Sequence, residues 1–363
     1  MTDKIKFKNF GVDKVIEKIS YKDLEFLNLT GRNTYYSQGI FGENTIIAVV
    51  DTGVASHSEL RHNLLPGESF VDYTNRPYDD NGHGTHVAGS IAGKNVGVAP
   101  KAKILPVKVL GKDGTGSLQN LIDGLYWISD YQQKTDKKIT AVNMSLSAGK
   151  DLDKETLKAL HEPIQKLVKN NIAVIVSAGN SGKLDVNYPA AYDEVISVGA
   201  VDINRKRALF STMGDYIDVC QVGVDVVSAW YKGGYAVMSG TSMSAPLVSG
   251  IAALIASKYK QVFSEDINED YLWKSLKLNT KDLGIKGADR KYGVGFCTLQ
   301  PLEADILLKN NSSNLIINGK KYRLDGKVNI EEHNFELPSE FLENITGAYC
   351  KFYPKNKRVK LLY

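Results

Sequence analysis

Apolar residues fall along this chain in two rhythms. Short, largely apolar runs, TIIAVV (45–50), KILPVKVL (103–110), ITAVNMSL (139–146), IAVIVSA (172–178) and VISVGAV (195–201), have the length of buried strands. Between several of them the apolar positions recur at helical spacing. Leu118, Leu121, Ile122, Leu125 and Ile128 do so within 117–133, and the same period crosses 153–170, where Pro163 predicts a kink. Strands of this kind alternating with helices predict a doubly wound α/β fold, a mainly parallel sheet with helices on both faces. Functional groups in such sheets gather at the carboxyl ends of the strands.

The rhythm changes after about residue 302. SNLIINGKKYRLDGKVNI places Asn318-Gly319 between two alternating runs, a hairpin signal, and with GAYCKFYPKNKRVKLLY predicts a small β-rich appendage. A chain of 363 residues, 43% hydrophobic and 24% charged, accommodates one large domain and such an appendage. A formal net charge of +4 gives no ground for nucleic acid or membrane as the main partner. Cys220, Cys297 and Cys350 are odd in number and far apart, which predicts reduced thiols rather than a disulfide framework. The N-terminal MTDKIKFKNFGVDKVIEKIS lacks the apolar run of a signal peptide, so the expected compartment is cytoplasmic.

Candidate chemistry sits where the runs end. Asp51 closes TIIAVV, a place that suits a carboxylate orienting an imidazole, although a turn or capping Asp has the same local look. His83 lies in DDNGHGTHVAGSIAG, where a turn leads into small residues suited to a tightly packed helix. His86, three residues on, raises a metal-ligand alternative, but the His-Glu-x-x-His arrangement is missing. SAGN (177–180) ends a further strand in Asn180, an amide that can face a developing oxyanion or serve a left-handed turn. Ser242 opens the long apolar stretch TSMSAPLVSGIAALIASKYK, a helix start that favours an alkoxide, with Pro246 expected in the first turn. Of the three serines in SGTSMSAP, only one that meets a base becomes a nucleophile. No G-x-S-x-G elbow surrounds Ser242, and the order Asp, His, Ser is that of subtilisin-type hydrolases.

VVDTGV, NGHGTHVAG, NMSL, SAGN and GTSMSAP together resemble the subtilisin-like serine proteases over roughly residues 22–300. YPAAYDEVISVGAV adds a look of the intracellular subtilisins. The resemblance implies an N-terminal extension (1–21), a subtilisin-like catalytic domain (22–302) and a β-rich C-terminal extension (303–363). It implies that Ser242 attacks the scissile carbonyl and His83 carries its proton. Asp51 would hold the imidazole, and Asn180 with the backbone N–H of Ser242 would bind the oxyanion. Leu110, Gly114, Gly116 and Leu118 would form a backbone edge on which an extended peptide pairs, and Ser145, Leu146 and Ser147 a second edge. Ala178 and Gly179 would wall the primary pocket, with Asn187 near its base and Tyr188-Pro189 at a family cis-proline position. Partners would be protein or peptide substrates, no cofactor being required for the chemistry.

Departures from the family pattern sharpen these expectations. SIAGKNVGVAP is shorter than the loop with which many relatives bind calcium tightly, so that site is expected to be absent. A weaker calcium or monovalent-cation site at the carbonyls of Ala190, Tyr192 and Val195 with Asp218 stays open. The N-terminal Leu-Ile-Pro-Tyr inhibitory motif of intracellular relatives is missing, and whether residues 1–21 cover the cleft is open. Ser244 and Leu247 stand where Ala and His are usual and read as packing changes. Asp79 and Asp80 precede His83 where relatives preferring basic residues carry acids. They predict Lys or Arg at the second position before the scissile bond, unless they are turn residues facing solvent. The reading is a serine endopeptidase, with a processing protease such as a bacteriocin leader peptidase, or a peptide-binding pseudoprotease, as alternatives.

Overall fold

The computed structural model describes residues 11–149 and 152–300, and the backbone of short strands at Lys4–Lys6 and within 306–362. The chain divides into two compact units, Met1–Gln300 and Pro301–Tyr363.

In the first unit β1 (Lys4–Lys6) and β2 (Val12–Ile16) precede two short helices, α1 (Glu25–Leu29) and α2 (Arg32–Tyr36). Then come β3 (Ile46–Asp51), β4 (Glu68–Ser69), α3 (His83–Ala92), β5 (Lys103–Lys108), β6 (Thr115–Ser117) and α4 (Leu118–Thr135). They are followed by β7 (Ala141–Met144), α5 (Lys154–Lys169), β8 (Ala173–Ser177), β9 (Ile196–Val201) and β10 (Val219–Val222). The unit closes with β11 (Val226–Ala229), β12 (Tyr235–Met238), α6 (Thr241–Phe263), α7 (Glu269–Leu278), β13 (Thr280–Lys281) and β14 (Phe296–Cys297).

Nine strands form one sheet in the order β13-β14-β10-β9-β8-β7-β3-β5-β4, parallel throughout except at the β13–β14 edge. The chain starts this sheet in its interior at β3, builds β4 and β5 to one side and β7 to β10 to the other. That reversal beside β3 opens a crevice at the carboxyl ends of β3 and β7. Both faces are covered. Ala48, Val50, Val142, Met144, Val174 and Val176 pack with Leu121, Leu125 and Ile128 of α4 and Leu160, Ile164 and Leu167 of α5. The alternate positions of the same strands face the other layer, where α3 and α6 pack together.

Local signals explain the element ends. Ser117 and Asp153 cap α4 and α5, accepting hydrogen bonds from the backbone N–H of Asn120 (3.1 Å) and Thr156 (2.7 Å). The kink predicted at Pro163 does not break α5, which runs through it with Leu160, Pro163, Ile164 and Leu167 all buried. In the second unit Asn314–Ile317 pairs antiparallel with Lys320–Arg323, Ile317 standing opposite Lys320, the register that a two-residue Asn318-Gly319 connection requires.

Candidate active site

Asp51 ends β3 with its side chain fully buried, and His83 opens α3, also fully buried. The imidazole Nδ1 lies 2.8 Å from Asp51 Oδ1 and 2.9 Å from Oδ2. Oδ1 also accepts the Thr52 N–H at 2.7 Å. With Nδ1–H directed at the carboxylate, the ring's proton-accepting nitrogen is Nε2. So close an approach needs Gly84 to be bare. A Cβ there would lie 2.1 Å from Gly53 O and 3.1 Å from Asp51 Oδ1.

Ser242 stands in the first turn of the 23-residue helix α6. Val50 of β3 pairs with Met144 of β7, so Asp51 and Ser145 follow side by side. Ser145 in turn holds Ser242: its hydroxyl donates to Ser242 O at 2.9 Å, and Ser242 Oγ donates to Ser145 O at 3.2 Å. Pro246 lies in the second turn of α6, not the first as expected from the sequence. Lacking an N–H, it leaves its i−4 carbonyl, that of Ser242, open to the Ser145 hydroxyl. A buried chain continues behind them. Asn143 Nδ2 donates to Ser145 Oγ at 3.1 Å, and Ser249 Oγ donates to Asn143 Oδ1 at 2.9 Å. Ser239, by contrast, ties strand ends: it accepts the Asp225 N–H and donates to Asp13 Oδ2 at 2.9 Å.

Asn180 follows β8. Its Oδ1 accepts both the N–H and the hydroxyl of Thr241, each at 2.9 Å. A Cβ added to Gly240 would sit 3.4 Å from Asn180 Nδ2 and 3.7 Å from Ser242 N, so the two donors border one small space. Two N–H donors around one point beside a hydroxyl suit an oxyanion.

The cleft residues separate into several groups. Ser145, Leu146, Ser147, Gly179 and Asn187 line a pocket that opens beside Ser242. Ala178 stands behind the wall, fully buried, its carbonyl accepting from Asn187 Nδ2 (3.3 Å) and the Tyr216 hydroxyl (3.1 Å). Gly179, at φ 104°, must be glycine, and a Cβ there would lie 2.6 Å from Asn187 Nδ2. Tyr188–Pro189 is cis. Gly114 closes the turn Gly111–Thr115, Gly116 is in β6, and Leu118 begins α4. The edge at β6 pairs antiparallel with β1, Lys4 opposite Ser117, Ile5 opposite Gly116 and Lys6 opposite Thr115.

Two sequence expectations are corrected. Leu110 is fully buried, its N–H donating to Asp51 O (3.2 Å) and its carbonyl accepting from Lys108 Nζ (3.0 Å), so its backbone is engaged inside the protein and not on the peptide edge. Asp79 is fully buried and accepts from Thr52 and Thr85 hydroxyls and from the N–H groups of Asn81, Gly82 and Thr85, at 2.6–3.0 Å. It frames the start of α3, where burial pushes its carboxyl above the ordinary value despite those bonds. Asp80 meets Lys108 Nζ at 2.8 Å and the Tyr73 hydroxyl at 2.8 Å. Partial burial raises its pKa, but those two partners outweigh it and hold the carboxyl below its usual range. The buried Lys108, which the sequence reading passed over, also donates to Thr52 O at 2.6 Å. It thereby braces the strand end that carries Asp51.

Among the described residues no three His, Cys, Asp or Glu side chains come together as a metal group. At the proposed cation site Ala190 and Val195 are buried and Tyr192 O accepts the Val195 N–H. Asp218 Oδ2 accepts the Ser197 N–H at 2.9 Å, and Oδ1 faces Lys277 Nζ at 2.7 Å. The Lys277 ammonium lies 3.4 Å from the Trp273 ring centre as well. A carboxylate already opposite an ammonium does not fit a metal cation in this arrangement.

His86 is a framework residue. Its Nε2 lies 3.1 Å from both Val226 O and Ala236 O, joining β11 and β12, and its Nδ1 is buried without a hydrogen-bond partner. Burial first, then the nearby His83, lowers its pKa from 6.5 to about 3. The unfolded chain therefore takes up a proton here that the folded chain refuses. This stabilisation is complete above pH 6.5 and is lost as pH falls towards 3, by up to about 1.4 kcal/mol per unit. Urea unfolding at pH 7 and pH 5 is expected to show a shallower pH dependence in His86→Gln than in the wild type, by about 2 kcal/mol over that span.

A carboxylate held on an imidazole, and a serine hydroxyl at a helix start by the neighbouring strand end, are the groups that a serine hydrolase uses. Residues 42–295 match the subtilase family, and the chain belongs to it. It is 40% identical over 239 residues to the thermostable alkaline protease of Halalkalibacterium halodurans, covering 64% of this chain and 63% of that protein. It is 37% identical over 258 residues to an intracellular serine protease of Paenibacillus polymyxa, covering 67% and 76% respectively. The major intracellular serine protease of Bacillus subtilis is 36% identical over 280 residues, covering 73% and 84%.

Proposed function

We propose that the chain is a serine endopeptidase in which Ser242 is the nucleophile, His83 the general base and acid, and Asp51 the group that orients the imidazole. Asn180 and the Ser242 N–H receive the oxyanion. The observation that carries the reading is the fully buried contact between His83 Nδ1 and the Asp51 carboxylate, beside the strand that anchors Ser242. A fluorophosphonate probe is expected to label the folded wild type and not Ser242→Ala; an unlabelled wild type would sink the proposal. We place its action in the cytoplasm, a reading supported by the likeness to two intracellular serine proteases.

The N-terminal segment supports a latent form of this enzyme. β1 lies on the β6 edge where a substrate strand would pair, and β2 pairs with β12, the strand that leads into Ser242. A strand already on that edge competes with substrate for the same hydrogen bonds. Removal of residues 1–11 is expected to lower KM several-fold with little change in kcat, measured on a short peptide substrate. A synthetic peptide of that sequence is expected to restore the higher KM. Equal KM values for the two forms would rule latency out. At Asp218, the Lys277 ammonium is proposed to provide the positive charge that a bound cation would otherwise supply.

A further inference from the structure

The turn Gly111–Thr115, which leads into β6, is closed by the Gly111 N–H on Thr115 O at 2.7 Å and the Gly114 N–H on Gly111 O at 2.9 Å. Neither bond uses Lys112, an exposed residue within the turn. Its backbone groups are instead held by the loop that leads into His83. The Lys112 N–H donates to the Tyr73 hydroxyl at 3.0 Å, and the Lys112 carbonyl accepts from Asn81 Nδ2 at 3.0 Å. The Tyr73 ring lies against the same turn: its Cε1 is 3.5 Å from where a Cβ on Gly111 would stand.

Each grip continues to a member of the triad. Asn81 Oδ1 accepts the His83 N–H at 3.1 Å, so one carboxamide spans from the start of α3 to the turn. The Tyr73 hydroxyl donates to Asp80 Oδ2 at 2.8 Å, and Asp80 Oδ1 accepts from Lys108 Nζ at 2.8 Å. Lys108 donates in turn to the carbonyl of Thr52, the residue after Asp51, at 2.6 Å. Burial, followed by the bond to Asp80 and its charge, pushes the Tyr73 phenol up to about 12. Its hydroxyl therefore keeps the proton it donates, and its oxygen stays an acceptor for Lys112.

We propose that Tyr73 is a positioning residue: through Lys112 it fixes the β6 edge relative to Asp51 and His83, so that a peptide pairing there brings its scissile carbonyl to Ser242. The edge takes an extended segment, since Lys4–Lys6 pairs antiparallel with Thr115–Ser117. Pairing on β6 helps the reaction only while the edge stands at a set distance from the reacting groups. Backbone hydrogen bonds made alike before and in the transition state act on KM and leave kcat alone. The proposal rests on Ser242 being the nucleophile and names what aligns the substrate with it.

The test uses the full chain carrying Ile5→Pro and Lys6→Pro. These strip the N–H from two successive residues of β1, one of which points at β6, and so free the edge. Active enzyme is titrated with a fluorophosphonate. A peptide with about six residues before the cleaved bond is compared with a blocked single-residue ester, which has the same residue there and none left to pair with β6. Tyr73→Phe in this background is expected to raise KM for the peptide about fivefold and keep kcat within about twofold, with both constants for the ester unchanged. The fold should tolerate the exchange, because the side chain is 55% exposed and only its hydroxyl is removed. An unchanged KM for the peptide, a rise shared by the ester, or a fall in kcat on the ester overturns the proposal and leaves the labelled serine in place. A chain that neither labels nor cuts either substrate overturns both.

Discussion

Ser242→Ala is expected to lower kcat for peptide hydrolysis by about 10⁶-fold, a magnitude taken from subtilisin itself. The side chain lost is one hydroxyl at a helix start, which donates to Ser145 O at 3.2 Å. Fold and melting temperature should therefore stay close to those of the wild type, because the rest of α6 and the Ser145 hydroxyl on Ser242 O are untouched. His83→Ala is expected to cost about as much, and the double variant no more than either single one. A base without a nucleophile, or a nucleophile without a base, performs no part of the covalent step. The oxyanion donors still act on water attack, so a residual rate above background should persist in all three. Steady-state kinetics with thermal melts of the same preparations check this. Additive losses would show that the two residues do not work as a unit.

Asp51→Asn is expected to lower kcat by about 10⁴-fold while leaving the fold intact, the size this exchange has in Asp–His–Ser triads. The carboxylate now presents acceptors to His83 Nδ1 at 2.8 and 2.9 Å, to the Thr52 N–H at 2.7 Å and to the Thr52 hydroxyl at 3.3 Å. Asparagine replaces one acceptor oxygen with a donor. Kept on Thr52, the amide oxygen leaves its NH2 facing Nδ1, and the imidazole answers by carrying its proton on Nε2 instead. That tautomer has nothing with which to accept the Ser242 proton. Fluorophosphonate labelling should slow in parallel with hydrolysis, since both need the same activated hydroxyl. Labelling at the wild-type rate would mean that Asp51 serves only the fold.

Much of this architecture was legible along the chain because it depends on short-range patterns. Runs such as TIIAVV and IAVIVSA are buried on both faces, so nearly every residue is apolar and the strands announce themselves. Asp51, His83, Asn180 and Ser242 were legible for a related reason: each breaks an apolar run or a helix start with a polar residue. Lys108 was hidden in KILPVKVL, where a lysine looks like an interruption on an exposed face. Its full burial follows from acceptors at Thr52, Asp80 and Leu110, which lie apart in sequence and converge only in space.

Local sequence thus determined the strands, the helices, the order of the chemical groups and the edge of the sheet at which they meet, because periodicity and strand ends are properties of neighbouring residues. Tertiary structure decided what each polar group faces. It buried Asp79 in the frame of α3, set Lys277 against Asp218 and laid residues 4–6 on the β6 edge. A charged side chain's role depends on its partners, and those partners come from strands, helices and loops that only the folded chain brings together.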